Sequence, residues 1–219
     1  DRIVDLALLP TEMQPPGLKS KRGVLDLRAR DQLGRQFNIE VQHGGHGNII
    51  TRSLTYVAHL LLSQAQQGDP YTALRPNVGI VLTDALLFPQ HTAVHTRVQL
   101  YAPEAGFVLS DLMEWHFFEL GKLPREAPCE NASLAMRWLH MLHYGHQYDR
   151  GGAPLPPSLA AVEAIVMAQH RFSDISQDEA FAEALFQQML DERDYASDIR
   201  EATLAGKAEG IAEGEARAR

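Results

Sequence analysis

Two neighbouring segments near the start of the chain alternate strictly between apolar and polar residues. In residues 23–30, Leu25, Leu27 and Ala29 form an apolar face, and Asp26, Arg28 and Arg30 form a polar one. In residues 36–42, the apolar face consists of Phe37, Ile39 and Val41, and the polar face of Asn38, Glu40 and Gln42. Alternation of this kind predicts β-strands. The sequence DQLG at 31–34 places Asp first and Gly fourth, which is typical of a type I turn leading into a glycine bulge. The two strands are therefore predicted to form an antiparallel hairpin.

The turn also predicts which residues face each other across this hairpin. A three-residue loop centred on Leu33 places Asp26 directly opposite Glu40, with Gln42 on the diagonal. The apolar sides of both strands are expected to face the core, and the polar sides to face solvent. Opposed carboxylates repel each other in a sheet unless a cation lies between them. The pair therefore predicts a cation site, or alternatively two solvated carboxylates neutralised by Arg28 and a nearby lysine.

A helix and a buried strand follow the hairpin. After the Gly-rich stretch HGGHGN, the spacing predicts a helix that ends near residue 67. Its apolar stripe is formed by Ile49, Leu54, Val57, Leu61 and Leu62, and its other side by Arg52, Tyr56 and His59. Residues 77–84, NVGIVLTD, are the continuous apolar type of strand that parallel sheets contain. Strand, helix and strand together predict a βαβ unit.

The rest of the chain separates into further strands and a helical region. Strands are predicted at 2–9, 96–102 and 115–122, and helices at 131–147, 157–171 and 177–205. The sequence thus predicts an α/β fold, a mixed sheet flanked by helices with a helical C-terminal region, divided into residues 1–125, 126–200 and a tail at 201–219. The tail has glycines at a period of four. Because glycine costs about 1 kcal/mol inside a helix, the tail is expected to fray or to pack as a helix against a partner, which would make the protein a homo-oligomer.

Composition limits the class of protein. The chain of 219 residues has a single cysteine, Cys129, so an internal disulfide framework is excluded and a reducing, cytoplasmic location is expected. No run of about 18 apolar residues exists that would span a membrane. The chain begins at Asp1 without a methionine, and we expect a further N-terminal segment to precede it.

Charge is distributed unevenly, and this bears on possible partners. The net charge is −8, but residues 174–219 alone contain twelve acidic and five basic side chains. The remainder is almost neutral and has a basic cluster around Asp26, formed by Lys19, Lys21, Arg22, Arg28, Arg30 and Arg35. A basic rim beside a carboxylate pair is compatible with a polyanionic substrate.

The carboxylate pair favours a hard divalent cation. Mg²⁺ prefers oxygen ligands and is typically held by one or two carboxylates with water and substrate phosphate, so Asp26 and Glu40 are the predicted ligands. Gln42 is placed to orient a water molecule. Three histidines, His140, His143 and His146, lack an evident fourth ligand for zinc. His43 and His46 are interpreted as part of a loop beside the site, and Glu119 with Lys122 as a structural salt bridge.

The order of these segments resembles a known family. The stretches LDLRARDQLGRQFNIEVQ, Arg52 with Tyr56 four residues later, GDPYTALRPNVGIVLTDALLF and LSDLMEWHFFELGKL are similar to the Rpn family of recombination-promoting nucleases and putative transposases, within the PD-(D/E)XK nuclease superfamily. The resemblance covers roughly residues 2–125. It implies an αβββαβ core that hydrolyses DNA with Mg²⁺, with Asp26 and Glu40 as metal ligands and Gln42 in the position of the superfamily lysine. It also implies a link to mobile elements and DNA recombination.

The sequence departs from the superfamily pattern in two ways. Gln42 is neutral, so it can hydrogen-bond a water molecule but cannot supply a positive charge. Arg28 or Arg52 would supply that charge and contact the substrate phosphate, with Tyr56 beside them. The helix expected before the first strand is absent from this chain. The sequence therefore predicts a Mg²⁺-dependent DNA endonuclease, or alternatively a non-catalytic DNA-binding or assembly protein on a decayed nuclease fold.

Overall fold

The computed structural model describes residues 2–13, 23–24, 27–42, 48–148 and 153–176. The predicted ligand Asp26, the histidines of the HGGHG stretch, the third predicted C-terminal helix and the tail lie outside these ranges. The chain forms two compact units, Asp1–Glu126 and Ala127–Arg219.

The first unit is built on a six-stranded mixed sheet, which confirms the predicted α/β class. Its elements are β1 (Leu6–Leu9), β4 (Leu27–Asp31), β5 (Gln36–Gln42), α1 (Ile49–Gln64), β6 (Asn77–Thr83), β7 (His95–Ala102) and β8 (Phe107–Glu119). A separate two-stranded sheet is formed by β2 (Glu12–Met13) and β3 (Gly23–Val24). The strand order of the large sheet is β1-β4-β5-β6-β8-β7, with β5, β6 and β8 parallel to one another and the other neighbours antiparallel. The predicted βαβ unit is β5–α1–β6.

The β4–β5 hairpin has the register that its turn predicts. Arg30 faces Gln36 and Arg28 faces Asn38, so the pairing is centred on Leu33. The same register relates every described pair of the hairpin. Partners directly opposite each other in an antiparallel pair project to the same face, so Arg28 and Asn38 share one face of the sheet.

Asp31 and Gly34 build the turn of this hairpin. The backbone N–H of Gly34 donates to the Asp31 carbonyl at 3.0 Å, and Gly34 has φ of +81°, a conformation that glycine adopts without strain. The Asp31 side chain accepts hydrogen bonds from the backbone N–H groups of Leu33 and Arg35 and from Arg35 Nε at 2.6 Å. Local chemistry therefore fixes the register.

The polar face of β5 is buried, contrary to the prediction, and the apolar face is buried at Phe37 but not at Val41. Asn38 is 1 % exposed and Glu40 is 4 % exposed, whereas Val41 on the face predicted to be apolar and covered is 59 % exposed. The reason is the crossover helix: α1 leads from β5 to β6 and packs on the face that carries the polar residues. Burial of these polar groups is costly unless partners satisfy them.

Helix α1 packs through a narrower stripe than its sequence predicts. Ile49, Ser53, Val57 and Leu60 are buried, while Leu54 and Leu62 of the predicted stripe are 42 % and 68 % exposed. Ile49 and Val57 join a core cluster completed by Val81, Trp115 and Phe117. The helix lies close to β6, because a Cβ on Gly79 would stand 2.9 Å from Val57 Cγ2 and 2.6 Å from Trp115 Cδ1.

The second unit is helical, as predicted. It contains α2 (Leu134–Tyr144), α3 (Pro157–Ala160) and α4 (Glu163–Ser176), so the helix predicted at 157–171 is two helices. The Ser133 hydroxyl accepts a hydrogen bond from the Met136 N–H at the start of α2. Met141, Leu159 and Ile165 form the core. No helix within the described ranges has the length and apolar character needed to cross a bilayer.

His140 has a structural role in this unit. It is 1 % exposed, and its Nε2 lies 2.8 Å from the Tyr148 hydroxyl. No group of three or more His, Cys, Asp or Glu side chains in the described part of the chain could hold a metal ion.

We expect His140 to make the protein less stable in mild acid. Burial, and then the charge of His143, lower the pKa of His140 below its usual value, so the folded state binds fewer protons than the unfolded state. The stability conferred by neutral His140 is present above about pH 6.5 and is lost as the pH falls below that value toward the folded pKa. Thermal unfolding between pH 7.5 and 5.5 measures the effect. His140→Gln should flatten the pH dependence, whereas His170→Gln, at an exposed position, should follow the wild type; equal slopes for all three proteins would contradict the assignment.

Candidate active site

The candidate site is formed by the C-terminal half of β5 and the first turns of α1. Glu40 is the central residue, with Val81 of β6 as its Cα partner. Two positions further along, Gln42 is paired with Thr83, and Thr83 in turn with Glu119. The site therefore lies where the three parallel strands β5, β6 and β8 end together, an edge at which α/β sheets commonly bind ligands.

Arg52 and Gln42 both approach one oxygen of the Glu40 carboxylate. Arg52 Nη2 lies 2.5 Å from Glu40 Oε1, and Gln42 Nε2 donates a hydrogen bond to the same oxygen at 3.4 Å. The Glu40 side chain is almost completely buried, whereas the Arg52 side chain is 32 % exposed. A buried carboxylate needs a positive partner, and Arg52 is the cation that the described structure brings to it.

The other predicted arginine is directed away from Glu40. Arg28 Nη2 donates a hydrogen bond of 2.7 Å to Gln36 Oε1, which lies diagonally across the hairpin. Gln36 and Glu40 are four residues apart on an extended strand, a separation of about 13 Å. Burial, and then the neighbouring Arg30 charge, lower the pKa of Arg28. Of the two arginines predicted to replace the superfamily lysine, Arg52 is the one in contact with Glu40.

Tyr56 lies one turn after Arg52 on α1. It is half-buried and packs against Leu60. The spacing of four residues places Arg52 and Tyr56 along the same side of the helix, at the boundary between its buried and exposed faces.

The remaining predicted ligand, Asp26, lies outside the described residues. Its nearest described neighbour on β4, Leu27, is paired with Ile39 in the predicted register. An Asp26–Glu40 pair requires this register, in which Leu27 is paired with Ile39.

Sequence analysis did not anticipate two buried polar residues beside the site. Asn38 is 1 % exposed and Ser53 is completely buried, and neither the Asn38 amide nor the Ser53 hydroxyl has a hydrogen-bond partner among the described residues. Two features of the sequence indicate their burial: Asn38 alternates onto the same strand face as Glu40, and Ser53 lies four residues before Val57 on the same side of the helix. Together with Glu40 and Arg52 they make the α1-facing side of β5 unusually polar for a buried surface.

The donor set at Glu40 fits a hard divalent cation in its chemistry. The carboxylate supplies oxygen, the ligand atom that Mg²⁺ and Ca²⁺ prefer, and it already holds a positive group at contact distance.

Comparison with known protein families identifies the family of the chain. A family model described as "PD-(D/E)XK nuclease family transposase" matches residues 1–202. The chain belongs to this family. No curated protein and no solved structure matches the chain.

Membership of the PD-(D/E)XK nuclease family transposases confirms the resemblance inferred from the sequence motifs. It supports a nuclease-type function with DNA as the substrate class. The hairpin followed by a helix and a parallel strand is consistent with the fold expected of this family.

Proposed function

We propose that the protein is a Mg²⁺-dependent DNA endonuclease that cleaves phosphodiester bonds in the recombination of mobile elements. The observation that carries the proposal is the Glu40 carboxylate, buried at the end of a parallel strand with a cationic group 2.5 Å away. A buried charged group at an edge where α/β sheets bind ligands is a candidate functional residue. Family membership supplies DNA as the substrate.

Asp26 and Glu40 would hold the metal. The register of the hairpin, continued by one residue beyond Leu27, would set these two carboxylates opposite each other. When bound, Mg²⁺ would lower the pKa of a coordinated water molecule and stabilise the charge that develops on the phosphate oxygens. Two facing carboxylates without a cation would repel, so the pair itself favours metal binding.

Gln42 would orient the attacking water rather than take its proton. Its amide already lies 3.4 Å from Glu40 Oε1, which restricts the side chain to the neighbourhood of the carboxylate. An amide has both donor and acceptor atoms but no basic site at neutral pH. Gln42 can therefore hold a water molecule by hydrogen bonds, and a proton released in the reaction would pass to solvent or to a phosphate oxygen.

Arg52 would supply the positive charge that the superfamily lysine provides elsewhere. Its guanidinium is at the site, partly exposed, and matches the geometry of a phosphate with its forked donors. Arg28 would contact the DNA backbone further along the hairpin, because its guanidinium is held near Gln36. Tyr56, on the same side of α1 as Arg52, would border the path of the DNA strand.

A decayed nuclease that only binds DNA is the competing function. The Arg52–Glu40 ion pair favours this alternative in one respect, since a carboxylate neutralised from within the chain no longer requires a metal. The two functions differ in their response to Mg²⁺. A metal that binds only the folded state raises the melting temperature, and a decayed site would show no such rise.

Substitution of Asp26 tests the proposal. We expect Asp26→Ala to abolish Mg²⁺-dependent nicking of supercoiled plasmid while the far-ultraviolet circular dichroism spectrum stays that of the wild type, because the variant would lack one of the two proposed metal ligands. The matched control is Asp111→Ala, an exposed acid on β8, which should nick like the wild type. Nicking by Asp26→Ala at the wild-type rate would refute the role of Asp26.

A further inference from the structure

The contact between Arg52 and Glu40 differs from the other buried ion pairs of the first unit. Arg35 donates an Nε hydrogen bond to Asp31 at 2.6 Å, and Lys122 donates to Glu119 at 2.5 Å. The Arg52 guanidinium stands equally close to Glu40, yet neither its Nε nor its Nη2 has a well-directed hydrogen-bond partner within the described ranges. Arg52 is therefore held to Glu40 by electrostatic attraction rather than by a directed hydrogen bond.

An arginine held in this way is easier to displace than one fixed by directed hydrogen bonds. Leaving the carboxylate breaks no well-formed hydrogen bond to Glu40, and the side chain already has an exposed fraction of 32 % through which it can move toward solvent. The long arginine stem allows this movement without any change in the path of α1.

Arg52 and a metal ion compete for the Glu40 carboxylate, because both are positively charged and both approach its oxygens. Arg52 Nη2 occupies the space directly in front of Glu40 Oε1, where a ligated cation would stand, and two positive charges at that distance repel each other. The burial of Glu40 strengthens both the attraction and the repulsion, because water screens them poorly there.

We propose that Arg52 is the counter-ion of the metal-free site, that metal displaces it from Glu40, and that the displaced guanidinium then binds the DNA phosphate. This inference rests on the proposed function, since it concerns the same metal site. Arg52 lowers the affinity for metal in the absence of DNA and raises the affinity for DNA once metal is bound. Because coupling between two ligands is reciprocal, DNA phosphate raises the metal affinity by the same factor.

The coupling links formation of the metal site to the binding of DNA. Free protein carries a neutralised, weakly metal-binding site, and the full metal site forms only when a phosphate is present to receive Arg52. Arg52 is thus a positioning residue for the metal as well as a phosphate ligand.

Calorimetric titration of Mn²⁺ into the protein without DNA tests the inference independently of activity. We expect Arg52→Gln to bind Mn²⁺ at least about tenfold more tightly than the wild type, because the competing charge is gone. Arg52→Lys, which keeps the charge, should stay near the wild type. Arg28→Gln removes a charge on the same face without touching Glu40, and it should tighten binding by less than about threefold, since distant charges are screened.

A second readout excludes a trivial loss of folding. In EDTA, Arg52→Gln should melt below the wild type, because the buried Glu40 carboxylate loses the ion pair with Arg52. Its melting temperature should rise more than that of the wild type when Mn²⁺ is added. In gel-shift experiments with Ca²⁺, the metal-induced gain in DNA affinity should be about tenfold smaller for Arg52→Gln than for the wild type.

The outcomes separate this inference from the proposed function. Equal Mn²⁺ affinity of wild type and Arg52→Gln, or equal tightening by Arg52→Gln and Arg28→Gln, would overturn the counter-ion role and leave the metal site standing. Failure of every variant to bind Mn²⁺ would overturn the metal site, and the counter-ion role with it.

Discussion

Glu119→Ala is expected to destabilise the first unit by about 3–5 kcal/mol. Glu119 is completely buried at the end of β8, and its Oε1 accepts hydrogen bonds from the backbone N–H groups of Leu87 and Phe88 at 2.7 and 3.0 Å. Its Oε2 accepts from Lys122 Nζ at 2.5 Å, which confirms the predicted salt bridge. Truncation leaves a lysine side chain that is only 10 % exposed without its counter-charge, together with two unpaired backbone donors.

Urea-induced unfolding measures this effect. The chain has two tryptophans, so in a Trp138→Phe background the fluorescence of the buried Trp115 reports on the first unit. The matched control is Glu104→Ala, an exposed carboxylate in the same unit, which should change the free energy of unfolding by less than about 0.5 kcal/mol. Overlapping curves for Glu119→Ala and the wild type would show that the buried carboxylate does not hold the segment after β6.

Loss of the Glu119 hydrogen bonds should also disturb the candidate site. Thr83 lies between Gln42 and Glu119 in the sheet, and the chain leaves β6 directly into the segment that Glu119 holds. We attribute to Glu119 the structural task of fixing the ends of the parallel strands, whereas the sequence predicted only its salt bridge with Lys122.

Glu40→Gln is expected to lower the rate of Mg²⁺-dependent nicking by at least about 100-fold, as loss of a direct metal ligand should exceed the 10- to 100-fold effect of a residue that only supports one. The substitution replaces an anionic oxygen donor by a neutral amide of the same shape. The fold should persist because the amide oxygen can still accept the hydrogen bond from Gln42. Single-turnover nicking with enzyme in excess measures the chemical step.

The control for Glu40→Gln is a second paired carboxylate on the opposite face of the sheet. Glu114 Oε2 lies 2.6 Å from Arg97 Nη2, and its Oε1 lies 2.6 Å from His116 Nε2. Glu114→Gln therefore removes a comparable ion pair from the same sheet without approaching the site. A loss of nicking as large in Glu114→Gln as in Glu40→Gln would show that the rate follows stability rather than metal binding.

The hairpin and its register could be predicted because they depend on neighbouring residues. Asp31 and Gly34 set the turn chemically, and the alternation of the two strands leaves one register that matches it. The same holds for β6, whose continuous apolar run indicates a strand covered on both faces.

The covered face of β5 could not be predicted from alternation alone. A period of two separates the faces of a strand but does not say against which face a helix will pack. The usual inference, that the apolar face alone is covered, failed at Asn38 and Glu40 because α1 packs on the face that carries them. Local rules are expected to fail where function requires buried polar groups.

The choice between Arg28 and Arg52 also needed the structure. Both lie near Glu40 in the sequence-based fold, but the direction of each long side chain depends on contacts distant in sequence. Arg28 is drawn to Gln36, and the packing of α1 on β5 brings Arg52 to the carboxylate.

Nicking of supercoiled plasmid by the wild-type protein, in Mg²⁺ and in EDTA, tests the central claim most directly. The account predicts conversion of supercoiled to nicked circles in Mg²⁺, none in EDTA, and restored conversion when Mg²⁺ is added in excess of the chelator. Intact supercoiled plasmid in Mg²⁺, with protein that binds DNA and unfolds cooperatively, would contradict it and identify a DNA-binding protein on a decayed nuclease fold.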